Sequence, residues 1–339
     1  MKTPFVRFAP ACSTLRLALG LAFSLGAAAV PAAQAGEPIW DGNKVEMTSE
    51  KLDDGVYALY AKDARELNAK GGAAATTGGL IVGSKGVLQV ETMLNQRLHL
   101  QVQQLSKKIS SKPLLYAINT SAHGDHSFGN MYLPASTRIV QHANTRSYIA
   151  GHLEEDKQFM IKNFGSGRGI EPITARAPDV VVPEGGRVTL DLGDKQVEII
   201  DFGFAQTGGD LFVWQPQSKI LFAGNPIIAS KPALPWLLDG HLLATLETLN
   251  KVYAFLPEDA RIVPGHGVAM SREALKWHID YLSVIKQQVQ AAIDQGLTLE
   301  QTVKQVAMPE FRGYVLFDWV HPGLNVPAAY KDLSKNKPH

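Results

Sequence analysis

The sequence predicts an α/β fold in which two β-sheets lie between outer layers of helices, a four-layer αββα sandwich with a C-terminal helical extension. Two successive parts of the chain each begin with short strands and continue into helix, so each supplies one sheet and its covering helices. From Ser271 the pattern is helical to the end of the chain. We therefore expect a signal peptide at 1–35, a sandwich domain at 36–270 and a helical extension at 271–339.

The first part of the predicted sandwich contains strands, then helices. Runs of β-forming residues bounded by turn residues predict the strands, at 55–61, 78–83, 86–91, 114–119 and 138–141. Apolar residues at helical spacing predict a helix over 95–110, and a second helix starts at about Asn144. The glycine- and proline-containing segment 164–186 is expected to form a long loop.

The second part repeats this order. A turn signal at 192–195 predicts a hairpin between 187–191 and 196–203. Further strands are predicted at 210–215, 219–223 and 261–267, with a helix over 242–256 between the last two. The last strand ends in a histidine flanked by glycines, His266.

The first 35 residues have the pattern of a secretory signal peptide. Lys2, Arg7 and Arg16 are the only charged residues there, and an apolar run at 17–30 and a small-residue stretch at 31–35 follow. The apolar run is shorter than the about 20 residues that a membrane anchor needs. Cleavage after residue 35 would remove Cys12, the chain's single cysteine, so we expect neither disulfides nor thiolate ligands in the mature protein. This pattern predicts a periplasmic or secreted protein.

The charge balance bears on the class of partner. The chain carries 33 Lys and Arg against 32 Asp and Glu, and removing the three basic residues of the signal peptide leaves 30 against 32, a net charge of −2. No basic block interrupts this balance, so nucleic acid and anionic membrane are not expected partners. We expect a small-molecule substrate, and the sequence leaves the oligomeric state open.

Donor side chains for a metal follow two of the predicted strands. His123, Asp125 and His126 lie in a loop directly after strand 114–119, and His266 follows the strand that begins at 261. Side chains at strand ends are held by the sheet and can converge on one point. Imidazole and carboxylate donors suit zinc, or iron(II) where two histidines and one carboxylate face one side. The alternative is a loop in which histidine and aspartate only bond each other, but donors in two separate loops favour a metal site.

Five segments occur in the order seen in a known family. They are GVLQVETM at 86–93, NTSAHGDH at 119–126, GFAQTGGD at 203–210, ILFAGN at 220–225 and IVPGHG at 262–267. On these segments the chain resembles the metallo-β-lactamase superfamily from about residue 49 to residue 267. The resemblance implies an αββα sandwich of that type and a site for two zinc ions.

The chain departs from the family's ligand set at three positions. Ser121 occupies the place of the first loop histidine, Gln206 that of a further histidine, and Asn225 that of the aspartate that bridges the metals. The first of the two implied sites retains only His123. A hydroxyl and a neutral amide are poor zinc ligands, so Ser121, Gln206 and Asn225 are at most weak ligands or pocket residues, and we expect this site to be empty or very weak.

The second implied site keeps its three ligands, Asp125, His126 and His266. They leave a fourth position open, as catalytic zinc sites do. His123 is either an additional ligand or, free of the metal, a general base beside a metal-bound water, so His123 and Asp125 are the predicted catalytic residues. We therefore predict one zinc per chain, with iron as the alternative metal.

Other residues near these motifs allow two interpretations each. His142 either lines the pocket or starts the following helix. Glu91, where the family usually has aspartate, is expected to bond the loop backbone rather than the metal. Phe164, Trp236 and Trp319 either wall the pocket or belong to the core.

These observations predict an exported metal-dependent hydrolase that cleaves an ester, thioester, lactone or amide bond, β-lactams included, with one metal-bound water. No lysine suited to hold a lactam carboxylate follows Asn225 closely. The main alternative is a non-catalytic or accessory binding protein on a degenerate fold of this family. A redox site with iron at the two-histidine, one-carboxylate set is a further alternative.

Overall fold

The computed structural model describes residues 38–335, and the predicted signal peptide lies outside the described residues. Two sheets form the centre of the fold. The first sheet has seven strands that follow one another in chain order: β1 (Met47–Asp53), β2 (Val56–Ala61), β3 (Gly78–Val82), β4 (Val87–Val90), β5 (Leu114–Ile118), β6 (Arg138–His142) and β7 (Val180–Val182). Neighbours are antiparallel from β1 to β4 and parallel from β4 to β7.

The second sheet has six strands, again adjacent in chain order: β8 (Arg187–Asp191), β9 (Gln196–Ile200), β10 (Phe212–Gln215), β11 (Ile220–Gly224), β12 (Arg261–Pro264) and β13 (Met270–Ser271). All of its neighbours are antiparallel except β11 and β12, which run parallel. A parallel pair needs a crossover connection, which the helix Leu242–Phe255 provides between β11 and β12.

The described helices are α1 (Ala64–Ala69), α2 (Gln96–Ile109), α3 (Gly124–Ser127), α4 (Ala143–Phe164), α5 (Leu242–Phe255), α6 (Lys276–Asp294), α7 (Leu299–Gln305), α8 (Phe317–Val320) and α9 (Val326–Lys335). Short 3-10 turns occur at Phe128–Tyr132, Arg272–Leu275 and Pro309–Phe311, and a π turn at His321–Asn325. None of the helices in the described part of the chain is long and apolar enough to cross a membrane.

The two sheets pack face to face through a continuous apolar core that includes Leu80 and Leu88 from the first sheet and Val213 and Phe222 from the second. The sheets approach each other closely at Gly79, where an added Cβ would lie 2.0 Å from the Phe222 ring. A second core joins the outer face of the second sheet to α5, α6 and the C-terminal helices. The predicted αββα sandwich with its C-terminal helices is therefore confirmed.

Strand ends bring the functional loops together. β4 and β5 are parallel neighbours, so Glu91 and the loop 119–126 leave the same edge of the first sheet. β11 and β12 are parallel neighbours in the second sheet, and they lead into Asn225 and His266 at a common edge. Gly224, with φ +59°, makes the turn after β11 close to Thr120, whose Oγ1 would lie 2.1 Å from an added Cβ.

The structure corrects the sequence prediction at a few elements. The segment 164–186 was expected to be a loop, but it contains the three-residue strand β7 at the edge of the first sheet. β1 and α1 were not predicted. β1 (MTSEKLD) has few β-forming residues and lies at the other edge, where one exposed side does not require an apolar pattern.

Candidate metal centre

Asp125, His126 and His266 bring their donor atoms to one buried point. Oδ2 of Asp125 lies 3.4 Å from Nε2 of His126 and 3.5 Å from Nε2 of His266. The three donor atoms lie within 4.8 Å of one another, and all three residues are buried. Asp125 and His266 are 141 residues apart in the sequence, and the two sheets bring their loops together.

This donor set fits a single tetrahedral ion. Zinc bonds to nitrogen and oxygen are about 2.0–2.2 Å long, so ligand atoms of a tetrahedral site are about 3.4 Å apart. The two distances to Asp125 Oδ2 match that separation. Nε2 of His126 is fully buried and has no hydrogen-bond partner, which is costly unless another group binds it. A metal ion at this point would satisfy it.

Glu91 holds His126 from the opposite side. Oε1 of Glu91 lies 3.1 Å from Nδ1 of His126, and both side chains are fully buried. The hydroxyl of Thr120 also donates to Oε1, and the Thr120 backbone N–H donates to Oε2 at 3.3 Å. A carboxylate at Nδ1 selects the tautomer with a free Nε2 and makes the imidazole a better ligand. Glu91 has a φ of +63°, a strained conformation of the kind found at functional sites.

A segment before β3 supports the other two donors. Thr76 Oγ1 donates to Asp125 Oδ2 at 2.6 Å, and Nδ1 of His266 lies 3.1 Å from the carbonyl oxygen of Ala74. The Ala74 contact fixes Nδ1 of His266 as the protonated nitrogen, so Nε2 again faces the donor cluster. The sequence analysis missed this segment, and its only signal was a pair of threonines at the start of a strand.

The electrostatics of the cluster favour a positive charge. Burial opposes ionisation of Asp125, but the imidazoles of His126 and His266 and the Thr76 hydroxyl hold its pKa below the ordinary value. Burial also opposes protonation of His126, yet the carboxylates of Asp125 and Glu91 outweigh it and raise its pKa to about 9. The pair of carboxylates therefore stabilises positive charge at this point, as a proton or as a metal cation.

His123 stands beside the cluster without joining it. Its Nδ1 lies 3.1 Å from Nδ2 of Asn225, and burial lowers its pKa to about 4, although Asp125 acts in the opposite direction. Because an amide presents a donor and an acceptor of nearly the same shape, Asn225 can also turn its oxygen toward an Nδ1–H. That orientation leaves Nε2 of His123 as a free proton acceptor.

The three positions at which the chain departs from the implied ligand set hold buried polar atoms without partners. Ser121 Oγ, both amide atoms of Gln206 and Oδ1 of Asn225 are buried and unpaired. None of these groups is a good zinc ligand, and they leave His123 as the one imidazole on that side. The residues present therefore fit one metal and do not fit a second.

His142 lies away from the donor cluster. It is the N-cap of α4, where its Nδ1 accepts a hydrogen bond from the Asn144 N–H at 3.1 Å. Its Nε2 lies 3.3 Å from Oδ2 of Asp201. Of the two interpretations from the sequence, the structure shows the helix start, and the described pocket at the metal centre is not lined by His142.

An apolar pocket that is partly open to solvent lies next to the donor cluster. His123, Asp125 and His266 line its floor. Phe164, Trp236 and Trp319 line its walls, together with groups that the sequence analysis did not identify, among them Trp40, Phe159 and Tyr314.

This donor set at strand ends of an αββα sandwich is a candidate metal site on a metallohydrolase-type fold. The chain belongs to the metallo-beta-lactamase superfamily, whose family model matches residues 80–266. Members of this superfamily usually bind zinc.

Solved structures share the fold at low sequence identity. A metallo-beta-lactamase from Pontibacter korlensis matches with a TM-score of 0.53 and 17% identity, covering 70% of this chain and 99% of that one. The mono-zinc form of the metallo-beta-lactamase FIM-1 from Pseudomonas aeruginosa matches with a TM-score of 0.56 and 19% identity, covering 71% of this chain and 96% of that one. The inverting sec-alkylsulfatase Pisa1 from Pseudomonas sp. matches with a TM-score of 0.67 and 13% identity. That match covers 86% of this chain and 52% of the Pisa1 chain.

Restoring the missing donors is expected to create a second metal site. The combined variant Ser121→His, Gln206→His and Asn225→Asp gives each loop the donor that the family has there, and it replaces buried polar groups that now lack partners. We expect elemental analysis to find about one metal ion more per chain than in the unmodified protein. The single variant Gln206→His is the control and should add none. An unchanged metal content in the combined variant would mean that these loops lack the family's geometry.

Proposed function

We propose that the protein is an exported hydrolase that cleaves an ester, thioester, lactone or amide bond with the help of one metal ion, zinc in the first place and iron as the alternative. The observation that carries this proposal is the uneven donor set. Asp125, His126 and His266 are together, supported and buried, whereas the positions of a second site hold Ser121 and Gln206.

The three ligands would hold the ion and leave one position free toward the pocket. A zinc ion in such a site lowers the pKa of a bound water molecule to about 7 and polarises a carbonyl oxygen. The mono-zinc form of FIM-1 is support by analogy, since it is a relative in fold that holds a single zinc.

His123 is the proposed proton acceptor. It lines the pocket beside Asp125 and His266, and its pKa of about 4, lowered by burial, keeps the ring neutral at pH 7. With the Asn225 amide turned so that its oxygen accepts from Nδ1–H, Nε2 accepts a proton from the attacking water and then delivers it to the leaving group. The apolar walls exclude bulk water from the reacting groups and strengthen the electrostatic contacts among them.

The test is metal content together with turnover. We expect the purified mature protein to contain about one zinc per chain and to hydrolyse members of a panel of neutral esters, thioesters, lactones and amides. A chelator should abolish turnover, and zinc should restore it. Two tightly held ions per chain would contradict the single-metal proposal.

The binding-protein alternative rests on the same loss of donors, because a site that has lost part of its ligands can retain structure without catalysis. One metal per chain with no turnover on any member of the panel would favour that alternative.

A further inference from the structure

Part of the pocket beside the metal centre is built by segments outside the region that matches the family. Trp40 precedes that region and packs its ring 4.5 Å from Phe164. Tyr314 and Trp319 follow it, Tyr314 in the segment before α8 and Trp319 in α8. These segments lie outside the family match, so they are a natural place for features that select the substrate.

Aromatic rings lead from the metal centre to the C-terminal helices. The Trp236 ring lies 6.4 Å from the His266 ring and nearly parallel to it, at 15°. The Trp319 ring meets Trp236 edge-on at 5.1 Å. Trp319 is 39% exposed and Phe159 is 42% exposed, so apolar surface is open to a ligand on both sides of the mouth. A group bound against these rings would have its polar end at the metal ligands.

The described lining residues of the pocket carry formal charge of one sign only, and that sign is negative. Asp125 is the only formally charged side chain among its described lining residues, and no lysine or arginine lines it. The other polar groups are neutral amides, a phenol and imidazoles. An anionic group bound away from the donor cluster would lose its hydration and find no lysine or arginine there, which is costly. A neutral apolar group has no such hydration to lose, and its burial in the pocket is favourable.

We propose, on the basis of the hydrolase function above, that the substrate is a neutral carboxylic ester or lactone whose apolar chain fills this pocket. The Trp40, Phe159, Trp236, Tyr314 and Trp319 side chains select that chain by contact area. Substrates that carry a carboxylate away from the reacting bond are disfavoured, because no lysine or arginine is among the described lining residues to pair with it.

Methyl ketones provide a test that does not depend on turnover, because they have the shape of an ester and cannot be hydrolysed. Binding of the series from pentan-2-one to nonan-2-one to the metal-loaded protein is measured by calorimetry or tryptophan fluorescence. We expect each added methylene to tighten the dissociation constant about fourfold, the effect of burying one methylene group. A dissociation constant that does not change along the series would overturn the proposal.

Matched variants locate the effect. Trp319→Ala is expected to weaken nonan-2-one binding on the order of tenfold, because it exposes part of the chain to water. Val315→Ala, at a residue that is 66% exposed and does not line the pocket, should leave binding unchanged. Equal effects of the two changes would contradict the assignment of Trp319.

A turnover comparison tests the charge preference. Methyl octanoate should be hydrolysed with a kcat/KM about tenfold or more above that of monomethyl suberate, which has the same chain ending in a carboxylate. A preference for the charged ester would overturn the neutral class. If ketone binding depends on chain length but no ester is hydrolysed, the hydrolase proposal is wrong and the apolar-ligand site is retained. If esters are hydrolysed but neither binding nor turnover depends on chain length, the hydrolase proposal is retained and the apolar-ligand site is wrong.

Discussion

Asp125→Ala is expected to remove the metal and, with it, all turnover above background. Asp125 is the one anionic donor of the set, and its Oδ2 lies within 3.5 Å of both histidine Nε2 atoms. The variant leaves two neutral imidazoles, which hold a divalent ion much more weakly. Loss of a group that only supports a ligand costs about 10–100-fold in metal affinity, so loss of the ligand itself should exceed that range. Elemental analysis after dialysis and hydrolysis of neutral esters measure the two effects.

Two control variants separate the charge of Asp125 from its packing. Asp125→Asn keeps the shape of the side chain and removes its charge, so it should lose most of the metal as well. Asp259→Ala removes an exposed carboxylate paired with Lys219 and should retain both metal and turnover. Circular dichroism shows whether each variant is folded. Full metal content in a folded Asp125→Ala protein would mean that other groups hold the ion.

The sequence predicted the local part of the site because strand and donor were adjacent in the chain. The strand 114–119 leads directly into His123, Asp125 and His126, and the strand that begins at 261 leads into His266. A buried strand fixes the position of the loop that follows it, so residue type and spacing were sufficient to select the donors. The five segments taken together, in their order, also predicted the fold, whereas no single one of them is specific enough to do so.

The supporting groups and the pocket could not be predicted in the same way. Thr76 is 49 residues from Asp125, and no local pattern links them. Trp40 and Trp319 reach the pocket from segments far apart in the chain, and an aromatic residue is more often part of a core. Glu91 is a partial exception, because it lies at the end of a predicted strand, but its contact with His126 depends on a backbone conformation that is rare for glutamate.

His123→Ala should have the opposite pattern, with the metal retained and turnover lost. His123 stands beside the donor cluster and bonds Asn225, so removing its ring takes no ligand from Asp125, His126 or His266. A positioned general base contributes typically 10²–10⁴-fold to a rate, and we expect a decrease in kcat within that range. Metal content and turnover are measured in the same preparation, so that the turnover of each variant can be expressed per bound metal ion.

The conservative variant distinguishes a proton acceptor from a residue that only fills space. His123→Gln keeps a polar side chain that can still bond Asn225, but it cannot accept a proton at neutral pH, so it should be as slow as His123→Ala. Recovery of the rate in the glutamine variant would assign His123 a structural role. His152→Ala, at a half-exposed histidine on α4 paired with Glu155, is the matched control and should be fully active. Unchanged turnover in His123→Ala and in Asp125→Ala together would mean that neither residue takes part in the reaction, and it would contradict the single-metal proposal.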